Sequence, residues 1–506
     1  MKRVVSFVVS TVPCVVAVSV TCGMSSLLAR QLPNGPGALR EAEQKNMELL
    51  GANDLQARSA YQPVVQHQGN RWILYVGHHA LDKNPATGRP LPSLNPLTGK
   101  SEENGTSIVD VTDPQKPVYL HHLPVANGTG GGAQMVRVCD GNTLPVHDNK
   151  FYLLRSYAST AHEIWDVTNP SAPRPVRTVA GGNPVIGNLA GTHKSWWECD
   201  TGIAYIVGSR ASDAASGWKR GNHIMIFDLS NPASPVFKRD WALDGQQPGG
   251  AIPANFAAVP SIHGPISTGP AGNRVYFAYG TSSNGVMQIV DRSKLLTSDT
   301  NDYKTAEVGR WVMNPDNGAH TAFPIGKIAV ADFAPNAKGQ TREFVAVVSE
   351  ETFIQCTGPR NLTTLVDVTN EARPQSVATF QVAASSSDSC GRGGRFGPHS
   401  TNENFGPPFY QKVMFVAYFN AGVRAVDIRD PYNPREVGHY VPATTERTDY
   451  RCVKINNENV CNNAIQTNNV ETDDRGYIYI VDRADTGVHV LRLNGDALKA
   501  LEPKSN

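Results

Sequence analysis

The chain has 506 residues, 46 basic against 45 acidic, a formal net charge of +1 and 40% hydrophobic residues. A balance this even offers no long-range field to steer nucleic acid or an anionic surface onto the protein, so neither is expected as a partner. Eight cysteines and an uncharged apolar stretch behind Lys2 and Arg3 point to an exported, disulfide-bonded chain that is periplasmic, at the cell surface or secreted.

Lys2 and Arg3 precede a stretch with no charged residue until Arg30, and its apolar core runs from Val4 to Val20. Residues 1–29 therefore read as a signal peptide, or as a retained membrane anchor, since the stretch is long enough to span a bilayer. Thr21 directly before Cys22 is a poor match to a lipoprotein signal. Residues 30–61 read as a linker in which ALREAEQKNMELLGA has the composition of a short helix. They are also placed to close the ring described next.

From residue 62 to 498 one phrase returns seven times, an apolar run closing on an acidic residue before a turn. The copies are GTSIVDVTDPQKP from Gly105, HEIWDVTNPSAP from His162, HIMIFDLSNPASP from His223, GVMQIVDRSKLL from Gly285, LTTLVDVTNEARP from Leu362, GVRAVDIRDPYNP from Gly422 and GVHVLRLNGDA from Gly487. The acidic position falls at Asp110, Asp166, Asp228, Asp291, Asp367 and Asp427, and Arg492 takes it in the last copy. Short β-branched runs of this kind read as strands. Asp, Thr, Asn and Pro then turn the chain, because their side chains bond nearby backbone or preset φ. An aromatic strand stands upstream of each phrase (WILYVGHH, FYLLRSY, IAYIVGS, RVYFAYG, EFVAVVSE, VMFVAYFN, YIYIVDR), and another strand follows most copies. With an inner strand added, the expectation is all-β: a seven-bladed β-propeller of four-stranded blades, with 499–506 as a tail. The last unit lacks chain for an outer strand, which residues before Gln62 would supply.

The repeated phrase resembles the LVIVD repeat of exported bacterial β-propellers, over about residues 62 to 495. The copy from Gly285 lacks the Asn-Pro turn and the copy from Gly487 has Arg492 in place of Asp. The resemblance implies a propeller at or beyond the cell surface and implies little chemistry, because function resides in sites and not in folds.

Four histidines share one register just upstream of successive aromatic strands: His193 in GTHKSWWECD, His263 in PSIHGPIS, His320 in GAHTAFPI and His399 in GPHSTNEN. Innermost strands of a propeller converge on its axis, so four imidazoles are expected at one channel mouth. There they could hold a transition metal ion, Fe, Cu, Mn or Zn, with a position left for water or substrate. Glu198, Glu350, Glu351 and Glu471 are candidates to orient them from behind. The layout is similar to that of carotenoid-cleaving oxygenases, seven-bladed propellers with iron on four axial histidines, although no motif is shared. The competing reading is a structural histidine copied from blade to blade. His78, His79, His121 and His122 read as rim or outer-strand residues.

Six cysteines lie beyond the leader, and neighbour logic pairs Cys139 with Cys199, Cys356 with Cys390 and Cys452 with Cys461. Trp196 and Trp197 are candidate aromatic walls, Arg392 and Arg395 candidate guides for an anion, and the acidic turns candidate calcium sites or simple turn caps. No GxSxG elbow, HExxH, CxxC, P-loop or GxGxxG occurs, which excludes the commonest hydrolase, zincin and redox sites and any expected nucleotide cofactor. Two functions remain open. One is a metal-dependent oxidoreductase or hydrolase acting on a small organic molecule. The other is a non-catalytic binding or scaffold propeller for an envelope protein.

Overall fold

The computed structural model describes residues 39–502 except 81–91, 128, 130, 180–187, 220, 253–259, 282, 330–339, 351, 353–359, 383–387 and 456. The expected signal or anchor segment and the last four residues lie outside these. No helix among the described residues is long and apolar enough to cross a membrane.

The fold is all-β, and its unit is a four-stranded antiparallel meander. In the first, Ala60–Gln68, Arg71–His78, Gly105–Asp110 and Val118–Pro124 lie side by side in that order. Similar sheets follow, with inner strands Val136–Asp140, Ser195–Trp197, Ile262–Ser267 and Ala319–Ala329. A nine-stranded sheet completes the set. It joins a meander beginning at Phe396–Thr401 to one beginning at Thr467–Thr472 through the single pair Phe419 and Thr467.

The repeated phrase is the third strand of a meander with its turn. Asp110, Asp166, Asp228, Asp367 and Asp427 each accept the backbone N–H of the residue two further on, at 2.9 to 3.0 Å. Turn capping thus accounts for these acidic residues without calcium. Asp291 instead caps the helix Arg292–Thr297 by accepting from the Lys294 N–H at 3.0 Å, which is why that copy lacks an Asn-Pro turn. Register shifts between the third and fourth strands recur at Ile108/Val109, Ile164/Trp165, Ile226/Phe227, Ile289/Val290, Leu365/Val366 and Ala425/Val426. A bulge at one place in each sheet adds the same local twist, so the outer edges splay alike.

Each pair of successive sheets shares an apolar cluster, such as Tyr205, Val207 and Ile224 with Val275, Phe277 and Val286. The last sheet packs on the first in the same way, with Tyr479, Val481 and Val490 against Leu74, Val76 and Val109. The Arg475 guanidinium lies 4.0 Å from the Trp72 ring and donates to the Val111 and Thr112 carbonyls across that junction.

The short helix expected over residues 38–52 does not form. Glu43–Lys45 pairs with Arg435–Val441, and Met47–Asn53 pairs antiparallel with Gly487–Leu493. The helix formers of this segment are overruled by long-range pairing. The strand Gly487–Leu493 offers an open edge whose N–H and C=O groups need partners, and Met47, 1% exposed, packs with Phe415, Leu491 and Leu493. Exposed Glu43, Gln44 and Lys45 suit an edge strand as well as a helix face. Gly51 sits at the bulge of this pairing, where a Cβ would lie 2.5 Å from the Pro114 carbonyl oxygen. Replacing Met47 with Ala is expected to cost about 2–4 kcal/mol in urea unfolding, the range for a buried side chain that leaves a cavity. A loss below about 0.5 kcal/mol would show that this strand does not tie the ends of the chain together.

Disulfides join Cys139 to Cys199, between neighbouring sheets, and Cys452 to Cys461, directly opposed in a small hairpin. Cys390 is also disulfide-bonded, and its expected partner Cys356 lies outside the described residues. Such bonds fit an oxidising compartment.

Candidate functional site

The inner strands carry the four histidines to one place. His263, His320 and His399 lie on Ile262–Ser267, Ala319–Ala329 and Phe396–Thr401, and His193 enters just before Ser195–Trp197 with its N–H on the Val207 carbonyl. His193 Nε2 lies 2.9 Å from His263 Nε2. Ring centroids are 3.8 Å apart for His263 and His320 and 4.0 Å apart for His320 and His399.

Backbone carbonyls decide which nitrogen carries the proton. His263 Nδ1 lies 3.0 Å from the His320 carbonyl oxygen and His399 Nδ1 2.6 Å from that of Asn468. A carbonyl only accepts, so both Nδ1 atoms donate and both Nε2 atoms present a lone pair. His320 Nδ1 faces the Thr321 hydroxyl at 2.8 Å, and its Nε2 is buried with no hydrogen-bond partner. Burial lowers all four basicities, and together with the Lys194 and Arg483 charges it brings that of His193 to about 3. His263, His320 and His399 fall well below the usual imidazole value, so the cluster is neutral at pH 7.

Of the carboxylates expected behind the ring, Glu350 is in the cluster itself. Its oxygen is 3.6 Å from His399 Nε2, and ligand atoms of His263, His320 and Glu350 lie within 4.8 Å of one another. Glu198 is elsewhere, holding Arg292 at 2.6 Å and accepting from Ser267 and Tyr205. It is five residues beyond His193, which amounts to about 16 Å along an extended chain. Glu471 is buried with its carboxyl pushed up to about 8 by burial and by Glu403, and it accepts the Thr472 N–H. Glu351 lies outside the described residues. Backbone carbonyls and a hydroxyl take the orienting role expected of these acids.

Sequence reasoning missed two rings at the mouth. The Tyr61 hydroxyl is 3.3 Å from His193 Nε2 and 3.5 Å from His399 Nε2, and its ring meets His79 edge-on at 4.4 Å. His79 Nε2 is buried without a hydrogen-bond partner. Their signal was position, since Tyr61 begins an inner strand in the register of the histidines. By contrast, His78 bonds Ser107 and His122 bonds Glu102, both at 2.8 Å, inside the first sheet.

Next to the histidines along the axis lies a buried ionic layer. Lys194 and Arg137 both donate to Glu403, Lys194 also reaches the Thr321 hydroxyl at 3.2 Å, and Arg137 reaches the Ser195 carbonyl at 2.8 Å. An open groove of about 390 Å³ is lined by Trp196, Trp197, Asp200, Phe405 and Tyr410. Of the two arginines considered as anion guides, Arg392 is tied to Glu43 and the Asn420 carbonyl, whereas Arg395 pairs with Glu350 at 3.1 Å beside the cluster.

The LVIVD repeat model matches residues 219–241, which contain the strands His223–Asp228 and Val236–Trp241. No curated protein matches. Similar solved structures include Raptor from Chaetomium thermophilum, at 9% identity and TM-score 0.48 over 90% of this chain and 30% of that one. The Dos1 propeller is 12% identical, with TM-score 0.45 over 89% of this chain and 96% of that one. The propeller domain of Myceliophteria thermophila Cps50 (Swd1) is 10% identical, with TM-score 0.34 over 71% and 96%. The chain spans under a third of the Raptor chain. It is an all-β, propeller-like protein that carries the LVIVD repeat.

Proposed function

We propose that this chain is an exported, seven-bladed propeller that binds one transition-metal ion at its axial mouth through His193, His263, His320 and His399, with Glu350 beside them. Seven meanders, each packed on the next and the last on the first, support the blade count.

One observation carries the metal reading: ligand atoms of His263, His320 and Glu350 lie within 4.8 Å of one another, with His193 Nε2 2.9 Å from that of His263 and His399 Nε2 3.6 Å from Glu350. Four imidazoles and a carboxylate suit Fe, Cu, Mn or Zn. Such an ion would polarise a bound substrate or activate water or oxygen, which places the reaction class in metal-assisted oxidation or hydrolysis of a small organic molecule. The chain's own residues neutralise no charge on the histidines, exclude bulk water by burial and offer the Tyr61 hydroxyl as a hydrogen-bond donor at the mouth.

The test is to purify the untagged mature chain from an export-competent host and count metals by inductively coupled plasma mass spectrometry. About one equivalent is expected in the parent chain, and none in the variant with all four histidines replaced by alanine, provided circular dichroism shows the same fold. No binding after incubation with Fe, Cu, Mn and Zn salts would reject the metal site and leave a non-catalytic binding propeller, with the aromatic groove at Trp196, Phe405 and Tyr410 as its contact surface.

A further inference from the structure

Among the described residues, the mouth beside the histidines holds three guanidiniums, those of Arg395, Arg451 and Arg483, and two carboxylates paired with two of them. Arg395 is matched by Glu350 at 3.1 Å and Arg451 by Asp449. Among the described residues no carboxylate or other acceptor lies at hydrogen-bond distance from the Arg483 side chain, and Glu350 acts on it only through space. The adjacent acid, Asp482, is not available to it, because its two oxygens accept the backbone N–H groups of Gln466 at 2.6 Å and Ala484 at 2.7 Å.

This guanidinium is held in place without being used. The Arg483 N–H bonds the Gln466 carbonyl at 3.0 Å, and its carbonyl accepts from Ser59 at 2.8 Å and Arg451 at 3.3 Å. Its guanidinium carbon lies 6.0 Å from the centre of the Tyr61 ring, and the Tyr61 hydroxyl touches His193 and His399. Part of the residue remains exposed. Burial, with Arg395 and Arg451 nearby, presses its ordinarily very high pKa down to about 10.

We propose that the mouth of the histidine cluster binds the carboxylate of a small organic anion, with Arg483 as its principal partner and Arg395 as the flanking cation. The inference deepens the metal reading by naming the substrate class, a carboxylic acid whose reacting carbon would lie over the histidines. A planar guanidinium offers two parallel N–H donors to a carboxylate, a match that an ammonium cannot reproduce.

Benzoate is the probe, titrated by calorimetry into the untagged chain with and without zinc, with sulfate as the comparison oxyanion. Saturable benzoate binding is expected in both forms. Arg483→Gln should weaken it about tenfold or more, and Arg483→Lys should fall between. Failure of the parent chain to bind benzoate at millimolar concentration, or equal binding in Arg483→Gln, would overturn the proposal. Sulfate that binds as tightly as benzoate would also overturn it, since the site would then be a general anion site and not one for carboxylates. Arg483→Lys retains the charge, so a misfolded Arg483→Gln, detected by circular dichroism, still leaves a decisive comparison. The four-histidine variant separates the two ideas. If it lacks metal and keeps Arg483-dependent benzoate binding, the anion site stands on its own. If the parent chain binds metal and no benzoate, only the anion site falls.

Discussion

Replacing Glu403 with alanine is expected to destabilise the protein by about 3–5 kcal/mol, the usual result of leaving buried charge without its partner. Both side chains of the Lys194–Glu403 pair are fully buried. Burial works to raise the Glu403 pKa, but Lys194 and Arg137 outweigh it and hold the carboxyl below its ordinary range. Removing the carboxylate strands two cations, of which Lys194 keeps only the Thr321 hydroxyl. Lys194→Met should cost less, because Glu403 keeps Arg137 and the Met fills a similar volume. Urea unfolding of the two variants checks the order. A Glu403→Ala cost below about 1 kcal/mol, or a greater cost for Lys194→Met, would show that this layer is hydrated and not a dry ionic core. Since Lys194 follows His193 directly and Glu403 lies on the chain just after His399, loss of the layer should also loosen the cluster.

Stability is expected to fall steeply between pH 6.5 and pH 5. His78, His122, His162 and His489 are buried outside the metal candidates. Burial lowers the pKa of His122 to about 4, His162 to about 3 and His489 to about 4, and that of His78 well below the ordinary value. Below about pH 6.5 the unfolded chain takes up protons that the folded chain refuses, so stability is present above that pH and lost as pH falls. Each imidazole contributes about 2 kcal/mol to the loss by pH 5. Two acids act in the opposite sense. Glu471, raised to about 8, is protonated when folded, and Asp482, raised to about 6, takes its proton in the folded chain before the unfolded one does, so their contribution grows as pH falls. For these six groups the balance is a net loss of about 4 kcal/mol by pH 5, a large fraction of a typical folding free energy, and the cluster histidines, also lowered by burial, add to it in the metal-free chain. Urea midpoints of the metal-free chain measured across this range test the sign. A midpoint that stays level or rises toward pH 5 would mean that these imidazoles are solvated in the native state.

Much of the architecture was legible because a repeat writes the same physics many times. The Val-Asp-Val-Thr-Asp-Pro phrase encodes the end of a buried strand and a self-capping turn in six consecutive residues, so no distant information is needed to read it. The histidines were legible for a related reason: a shared register in successive units becomes convergence at an axis. The N-terminal segment was misread as a helix. Its residues favour one locally, while the partner strand Gly487–Leu493 is more than 430 positions away in the chain.

From the sequence alone came the all-β class, the repeat, the turn chemistry and the four histidines as a set. Tertiary structure alone decided which groups attend them. Arg137 meets Glu403 across 266 positions and Lys194 meets it across 209, and Tyr61 meets His399 across 338. Glu350 was a candidate among four acids of equal standing until packing placed it in the cluster. Arg483 stands out only once the acids around it are seen to be engaged elsewhere. Periodicity records what each unit repeats, and these groups occur once each, so only the closing of the sheets on one another brings them together.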